Sequence, residues 1–140
     1  MFNRLMAPVD LAHIGKLERA LDCVADLAKL YDVPVVYVGV TAPCATSLAE
    51  TPDDYAKKLD AFVAGEVEKH GVRAEGYVSI AHDPTTEIDD ALLRAVCETG
   101  ADLVVMASHV PGAIEYIWPS NGGKIAGHAK CSVLLVRPAS

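Results

Sequence analysis

The turn Ser120-Asn121-Gly122-Gly123, near the end of the chain, has the composition of an anion-binding site. A helix that begins there presents free backbone N–H groups and the positive end of its dipole, and the glycines let the backbone approach a phosphate closely. Serine and asparagine are also common helix caps, so Ser120 or Asn121 could simply begin the last helix. The residue types alone leave both interpretations open.

Other residues that could bind a ligand come immediately after apolar segments. Asp10 follows the first of these segments, and its carboxylate could accept hydrogen bonds from a purine amino group or from ribose hydroxyls. It could equally end a strand or cap a helix. His82, Ala107, Ser108 and His109 follow later segments. The two histidines either line the same pocket or are exposed loop residues.

The common catalytic and metal-binding motifs do not occur in the chain. It has no P-loop, no G-x-G-x-x-G fingerprint, no G-x-S-x-G nucleophile elbow and no evident pair of catalytic carboxylates. Its five histidines lack the spacing of metal ligands. We interpret His70 as a solvated residue near a helix end and Cys23 as a core residue. We therefore expect no catalytic residue and no metal site.

Apolar periodicity predicts the elements that position these residues. Continuous apolar runs predict five strands, at residues 4–9, 35–40, 74–80, 102–107 and 131–136. Apolar residues at intervals of three and four predict helices between the strands. The predicted inner faces are Leu17, Ala20, Leu21, Val24, Leu27 and Ala28 in the first helix, Tyr55, Leu59, Phe62, Val63 and Val67 in the second, and Ile88, Ala91, Leu92, Ala95 and Val96 in the third.

Local signals predict where the helices begin and end. Residues 41–54, which contain two prolines and several small residues, predict a mobile loop. Gly71 and Gly100 predict helix ends. Asp83-Pro84 predicts a helix start, with the aspartate as cap and the proline at the first helical position.

The alternation of strands and helices predicts a doubly wound, three-layer α/β/α fold with a five-stranded parallel sheet. Five strands are too few for an eight-stranded barrel. Ligands bind such sheets at the carboxyl ends of the strands, where the strand order switches. We therefore expect Asp10, Val40, His82 and residues 107–109 to converge, in a single domain covering residues 1–140.

Composition excludes several classes of protein. A length of 140 residues fits one domain, and a net charge of −7 argues against nonspecific binding of nucleic acid or of anionic membranes. No apolar run approaches a membrane span, and the first residues do not resemble a secretory signal. The four cysteines are too scattered for a metal cluster, which predicts reduced thiols and a cytoplasmic location.

Four segments resemble the universal stress protein family. They are Pro8-Val9-Asp10, Met106-Ala107-Ser108-His109, Ser120-Asn121 and the closing run from His128 to Arg137. The closing run, with the pattern H-A-x-C-x-V-L-x-V-R, is the most specific of them. The resemblance extends over the whole chain, because the order of strands and helices also fits the family.

The resemblance implies an adenine nucleotide α-hydrolase-like fold, a homodimer formed through the last strand, and a bound adenine nucleotide. The nucleotide would be ATP or a relative, accompanied by Mg²⁺ if it is a triphosphate. The residues implied to bind it are Pro8, Val9 and Asp10 at adenine and ribose, Val40 at adenine, Ala107 and His109 in the loop after the fourth strand, and Ser120 and Asn121 at the phosphates.

The phosphate-binding loop departs from the pattern of the ATP-binding members. The chain looks closest to the branch with S-x-x-P followed by G-S-N, here Ser108-His109-Val110-Pro111 and Pro119-Ser120-Asn121. ATP-binding members carry glycine where this chain has Ala107, Val110 and Pro119. Proline lacks an N–H and valine adds a branched side chain, so both changes predict weaker binding of a triphosphate.

Three functions remain compatible with the sequence. We expect a non-catalytic stress-response dimer that binds an adenine nucleotide weakly or selectively. The alternative is a dimeric interaction module that has lost nucleotide binding. A slow ATP hydrolase is the third, although neither a general base nor a pair of magnesium carboxylates is identifiable.

Overall fold

The computed structural model describes residues 1–108 and 121–138. Its strands are β1 Leu5–Val9, β2 Val35–Thr41, β3 Ala74–Ile80, β4 Leu103–Ala107 and β5 Ser132–Val136. Its helices are α1 Glu18–Tyr31, α2 Pro52–His70, α3 Pro84–Thr99 and α4 Asn121–His128, and a 3-10 turn covers Ile14–Lys16. These elements confirm the predicted order, and each strand boundary agrees with its prediction within one residue.

The strands run parallel in one sheet with the order β3-β2-β1-β4-β5. This confirms the predicted doubly wound α/β fold. Right-handed crossovers place α1 and α2 on one face of the sheet and α3 and α4 on the other. The strand order switches between β1 and β4, so a ligand is expected at the carboxyl ends of these two strands.

β1 and β4 are paired only near their N-terminal ends. The ladder between them consists of two residue pairs, at Leu5 and Met6, whereas the other three ladders contain five to seven pairs. Asp102 links β4 to β1 at this N-terminal end through hydrogen bonds. Its N–H donates to the carbonyl of Arg4 at 3.0 Å, and its carboxylate accepts the N–H groups of Asn3 and Arg4 at 2.8 and 3.1 Å. The pairing of the two strands therefore does not extend to the end where a ligand would bind.

The hydrophobic core lies on both faces of the central strands. Every residue of β1 and β4 is buried, as the continuous apolar runs predict. The predicted inner face of α3 is largely confirmed, since Ala91, Leu92, Ala95 and Val96 are all buried. In the part of the chain that is described, no helix has the length and apolar character needed to cross a membrane.

The helix ends follow the sequence signals, with one difference at α2. Gly71 and Gly100 end α2 and α3 with φ of 70° and 71°, a conformation that glycine adopts without strain. The predicted loop is too long at its C-terminal end, because α2 begins at Pro52. The hydroxyl of Thr51 accepts the N–H of Asp54 at 3.1 Å and caps the helix.

The inner face of α2 ends on two polar residues, Glu66 and His70. This corrects the predictions made for Val67 and His70. Tyr55, Leu59 and Val63 are buried as predicted, but Val67 is 37% exposed. Glu66 is buried in its place, because the helical repeat carries the inner stripe from position 63 to positions 66 and 70.

His70 is not the solvated residue predicted above. Its side chain is only 12% exposed, and its Nε2 lies 3.0 Å from Oε2 of Glu66 and 3.6 Å from Oδ1 of Asp22. The contact with Glu66 is close but lacks hydrogen-bond geometry. Cys23, predicted as core, is half-buried against the core.

Candidate functional site

The carboxyl ends of β1 and β4 lie at the switch in strand order, beyond the end of their short ladder. Pro8 and Val9 are buried in β1, and Asp10 follows them at its carboxyl end. Ala107 is the last residue of β4. Val40 is half-buried near the end of β2, on the far side of β1. The structure therefore brings these five predicted residues to one edge of the sheet.

Asp10 organises the turn that follows β1. Its Oδ1 accepts the N–H of Ala12 at 3.0 Å, and its Oδ2 lies 2.8 Å from Nδ1 of His13. Its backbone carbonyl accepts the N–H of His13 at 3.0 Å. The structural interpretation of Asp10 is thus realised. Each carboxylate oxygen still has capacity for another donor, so the ligand-binding interpretation also remains open.

His13 is a site residue that the sequence analysis did not select. Its side chain is 52% exposed beside the Asp10 carboxylate, which is 25% exposed. The signal in the sequence is an Asp-x-x-His spacing directly after a buried strand. That spacing acquires meaning only when a 3-10 turn follows the strand.

Tyr55 lies under Asp10 and was predicted only as a core residue. It is 2% exposed, and its ring packs against Gly39 of β2. Gly39 pairs with Val9 in the β1–β2 ladder, so the hydroxyl of Tyr55 lies beneath the carboxyl end of β1. Burial, followed by the charge of Asp10, raises the pKa of Tyr55. The phenol therefore stays neutral at physiological pH.

His82 begins the segment that leads into α3. Its N–H donates to Oε2 of Glu87 at 3.1 Å, and its side chain is exposed. The N–H groups of Thr86 and Glu87 donate to the carbonyl of Asp83 at 3.1 and 2.8 Å, which fits the predicted helix start. His82 thus has a backbone role in capping, while its imidazole faces solvent.

A cationic side chain stands at the carboxyl ends of β4 and β5. The N–H of Ser108 donates to the carbonyl of Val136 at 2.9 Å, and Nη1 of Arg137 lies 3.4 Å from the hydroxyl of Ser108. Arg137 was noted above only as part of the closing run. Its position shows that the last residue of that run reaches the predicted ligand-binding edge.

Some predicted residues cannot be placed. His109 and Ser120 lie outside the described residues, as do Val110 and Pro119. Asn121 is the first residue of α4, and its side chain is not described. Among residues 1–108 and 121–138, no group of three or more His, Cys, Asp or Glu side chains is arranged to hold a metal ion.

Solved structures of low sequence identity share this fold. A universal stress protein in complex with cAMP is 16% identical, with a TM-score of 0.72 and 99% of each chain covered. The Archaeoglobus fulgidus protein in complex with dAMP is 20% identical, with a TM-score of 0.68, covering 95% of this chain and 96% of that one. An Arabidopsis thaliana family protein with AMP bound is 18% identical, with a TM-score of 0.68, covering 99% of this chain and 93% of that one.

A match to a protein family covers nearly the whole chain. It extends over residues 1–137, from the N-terminus to the end of β5, and so includes the Asp10 turn and Arg137. On this match, the chain belongs to the universal stress protein family.

Proposed function

We propose that the protein is a non-catalytic stress-response protein that binds an adenine nucleotide in the crevice between β1 and β4. The observation that carries the proposal is the two-pair ladder between these strands, which leaves their carboxyl ends beside Asp10 without ladder pairing. Solved family structures hold cAMP, dAMP or AMP, and these share an adenine base. The structural likeness supports the same ligand class here.

The residues around the crevice suit different parts of a nucleotide. Asp10 can accept hydrogen bonds from the ribose hydroxyls or the adenine amino group with its remaining lone pairs. Val40 is half-buried and offers an apolar contact for the base. The N-terminus of α4 at Asn121 offers N–H groups and a positive dipole end for phosphate.

The replacement of two glycines favours binding of a nucleotide with a short phosphate chain. Val110 and Pro119 stand where ATP-binding relatives carry glycine, so fewer backbone N–H groups can approach a triphosphate. We propose selective binding of a monophosphate over ATP and Mg²⁺. The absence of phosphoryl-transfer motifs from the sequence supports a role in binding rather than in hydrolysis.

A cytoplasmic homodimer through β5 completes the proposal. β5 is an edge strand, and Leu134 at its centre is 38% exposed. A groove of about 660 Å³ separates β5 from α1, and its lining combines apolar and charged residues, namely Cys23, Leu27, Leu134, Leu135, Val136, Arg19, Asp22, Asp26 and Arg137. Both signs of charge occur there, so a twofold contact can pair arginines of one copy with aspartates of the other.

Calorimetric titration with AMP, ADP and ATP, with and without magnesium, tests nucleotide binding. We expect AMP to bind more tightly than ATP, and Asp10→Ala to weaken binding of all three. No heat of binding at millimolar nucleotide would refute the proposal.

A dimeric interaction module without nucleotide is the second candidate. It is favoured by one observation: both oxygens of Asp10 already have partners in Ala12 and His13. Adenine nucleotide that copurifies with the protein, identified by mass spectrometry, would count against this candidate.

A further inference from the structure

We propose that His13 contacts the phosphate of the bound nucleotide. The inference rests on the proposed function, because it assigns a role within the same crevice. It adds a residue that neither the family resemblance nor the sequence motifs select.

His13 is held at the carboxyl end of β1 by two contacts with Asp10, one from its backbone and one from its imidazole. The N–H of His13 donates to the Asp10 carbonyl at 3.0 Å, and Nδ1 lies 2.8 Å from Asp10 Oδ2. Asp10 itself is fixed at the end of β1 through the N–H of Ala12. The ring is therefore held in place before any ligand arrives, which lowers the entropy cost of using it.

The second ring nitrogen of His13 is available to a ligand. The side chain is 52% exposed, and Nε2 has no hydrogen-bond partner among the described residues. A carboxylate can only accept, so the contact with Asp10 requires a proton on Nδ1. In the protonated ring Nε2 also carries a proton and can donate it to a phosphate oxygen in a charge-assisted hydrogen bond.

The negative net charge of the chain makes a local positive charge important for binding a phosphate. The chain has 19 acidic and 12 basic residues, so its overall field repels a phosphate. His13 lies beside the carboxylate of Asp10, and Lys16 belongs to the 3-10 turn that follows His13.

Two substitutions separate the two ring nitrogens. The amide nitrogen of asparagine falls near the position of Nδ1, so His13→Asn keeps the bond to Asp10 and loses the group that reaches the phosphate. The longer side chain of His13→Gln places its amide near the position of Nε2, without the charge. His128→Asn, at an exposed histidine on the last turn of α4, is the matched control.

Calorimetry with AMP and with adenosine in one mildly acidic buffer measures the effect. The ionisation of AMP is the same for every variant in that buffer, so the ratio of affinities isolates the contribution of His13. We expect His13→Asn to weaken AMP binding about fivefold to tenfold, and His13→Gln to weaken it less. Adenosine binding should be unchanged in both variants.

Three results would overturn the inference. Equal AMP affinity of His13→Asn and the natural protein would show that Nε2 makes no contact. An equal loss for AMP and adenosine would show that His13 acts only by holding Asp10. If the natural protein binds neither ligand, the proposed function fails and this inference fails with it, whereas the first two results leave nucleotide binding intact.

Discussion

The hydroxyl of Tyr55 occupies the space in which a side chain at residue 39 would begin. A Cβ atom built on Gly39 would lie 2.4 Å from that oxygen, closer than any real contact allows. Gly39 therefore lets α2 approach β2 closely. The phenol consequently lies under the end of β1, next to Asp10.

Gly39→Ala should displace Tyr55 and disturb the site above it. We expect a loss of about 1–3 kcal/mol in the free energy of unfolding, because the ring must move within a packed core, and weaker AMP binding through Asp10. Urea denaturation and calorimetry measure the two effects. Gly65→Ala, in α2 with nothing within 4 Å of the new methyl group, is the control and should stabilise by about 0.5–1 kcal/mol.

The protein should lose stability at alkaline pH through two buried tyrosines. Burial, followed by the nearby charges of Glu66 and Asp10, raises the pKa values of Tyr37 and Tyr55 respectively. The folded state thus holds both protons more tightly than the unfolded chain, in which tyrosine titrates near 10. This contribution is complete below about pH 10 and is lost as the pH rises above it. Urea midpoints should fall less steeply with pH in Tyr55→Phe, and an unchanged slope would contradict the prediction.

Tyr37→Phe should be neutral or stabilising at neutral pH. The hydroxyl of Tyr37 is fully buried and has no hydrogen-bond partner among the described residues, while its ring packs edge-on against Phe62. Removing an unsatisfied hydroxyl relieves a desolvation cost of about 1 kcal/mol and keeps the ring contact. A destabilisation of similar size in urea denaturation would reveal a partner for this hydroxyl.

His70 and Glu66 should be strongly coupled. His70→Ala removes the imidazole that lies 3.0 Å from the buried carboxylate of Glu66, so we expect a loss of about 1–3 kcal/mol in the free energy of unfolding. The double variant His70→Ala/Glu66→Ala should lose less than the sum of the single variants, because it also removes the buried polar group that the first substitution exposes to an apolar neighbourhood. A double-mutant cycle by urea denaturation measures the coupling. Lys69→Ala, at an exposed neighbour on α2, should change stability by less than about 0.5 kcal/mol.

Leu134→Lys should convert the proposed dimer to a monomer. The charge would lie at the centre of the exposed face of β5 and would have to be desolvated in a twofold contact. Sedimentation velocity at micromolar concentration distinguishes the two states. Leu30→Lys, at a 73% exposed leucine on α1, is the control and should leave the oligomeric state unchanged. A monomer already present in the natural protein would refute the dimer.

The order of elements and the parallel sheet could be predicted because both depend on local patterns. The run Val35–Thr41 can hardly be anything but a covered strand, and glycines such as Gly71 end helices for reasons local to their own φ. The start of α2 was missed although Thr51-Pro52 carries the signal. The many small residues before this cap predict a loop, and that signal extended the predicted loop beyond the true start of the helix.

Other features depend on tertiary geometry, so the sequence could not reveal them. Glu66 and His70 are charged or polar types that usually lie at the surface, and only the packing of α1 on α2 brings Asp22 close to His70. His13 became a site residue because the turn after β1 folds its ring back onto Asp10. The length of the β1–β4 ladder depends on how the sheet twists, which no local pattern encodes.

That short ladder divides the sheet into two parts, β3-β2-β1 and β4-β5. The two parts are paired only near the N-terminal ends of β1 and β4. α1 packs against strands of both parts and therefore connects them. A molecule bound at the carboxyl ends of β1 and β4 would contact both parts, and so would stiffen the sheet where the ladder is missing.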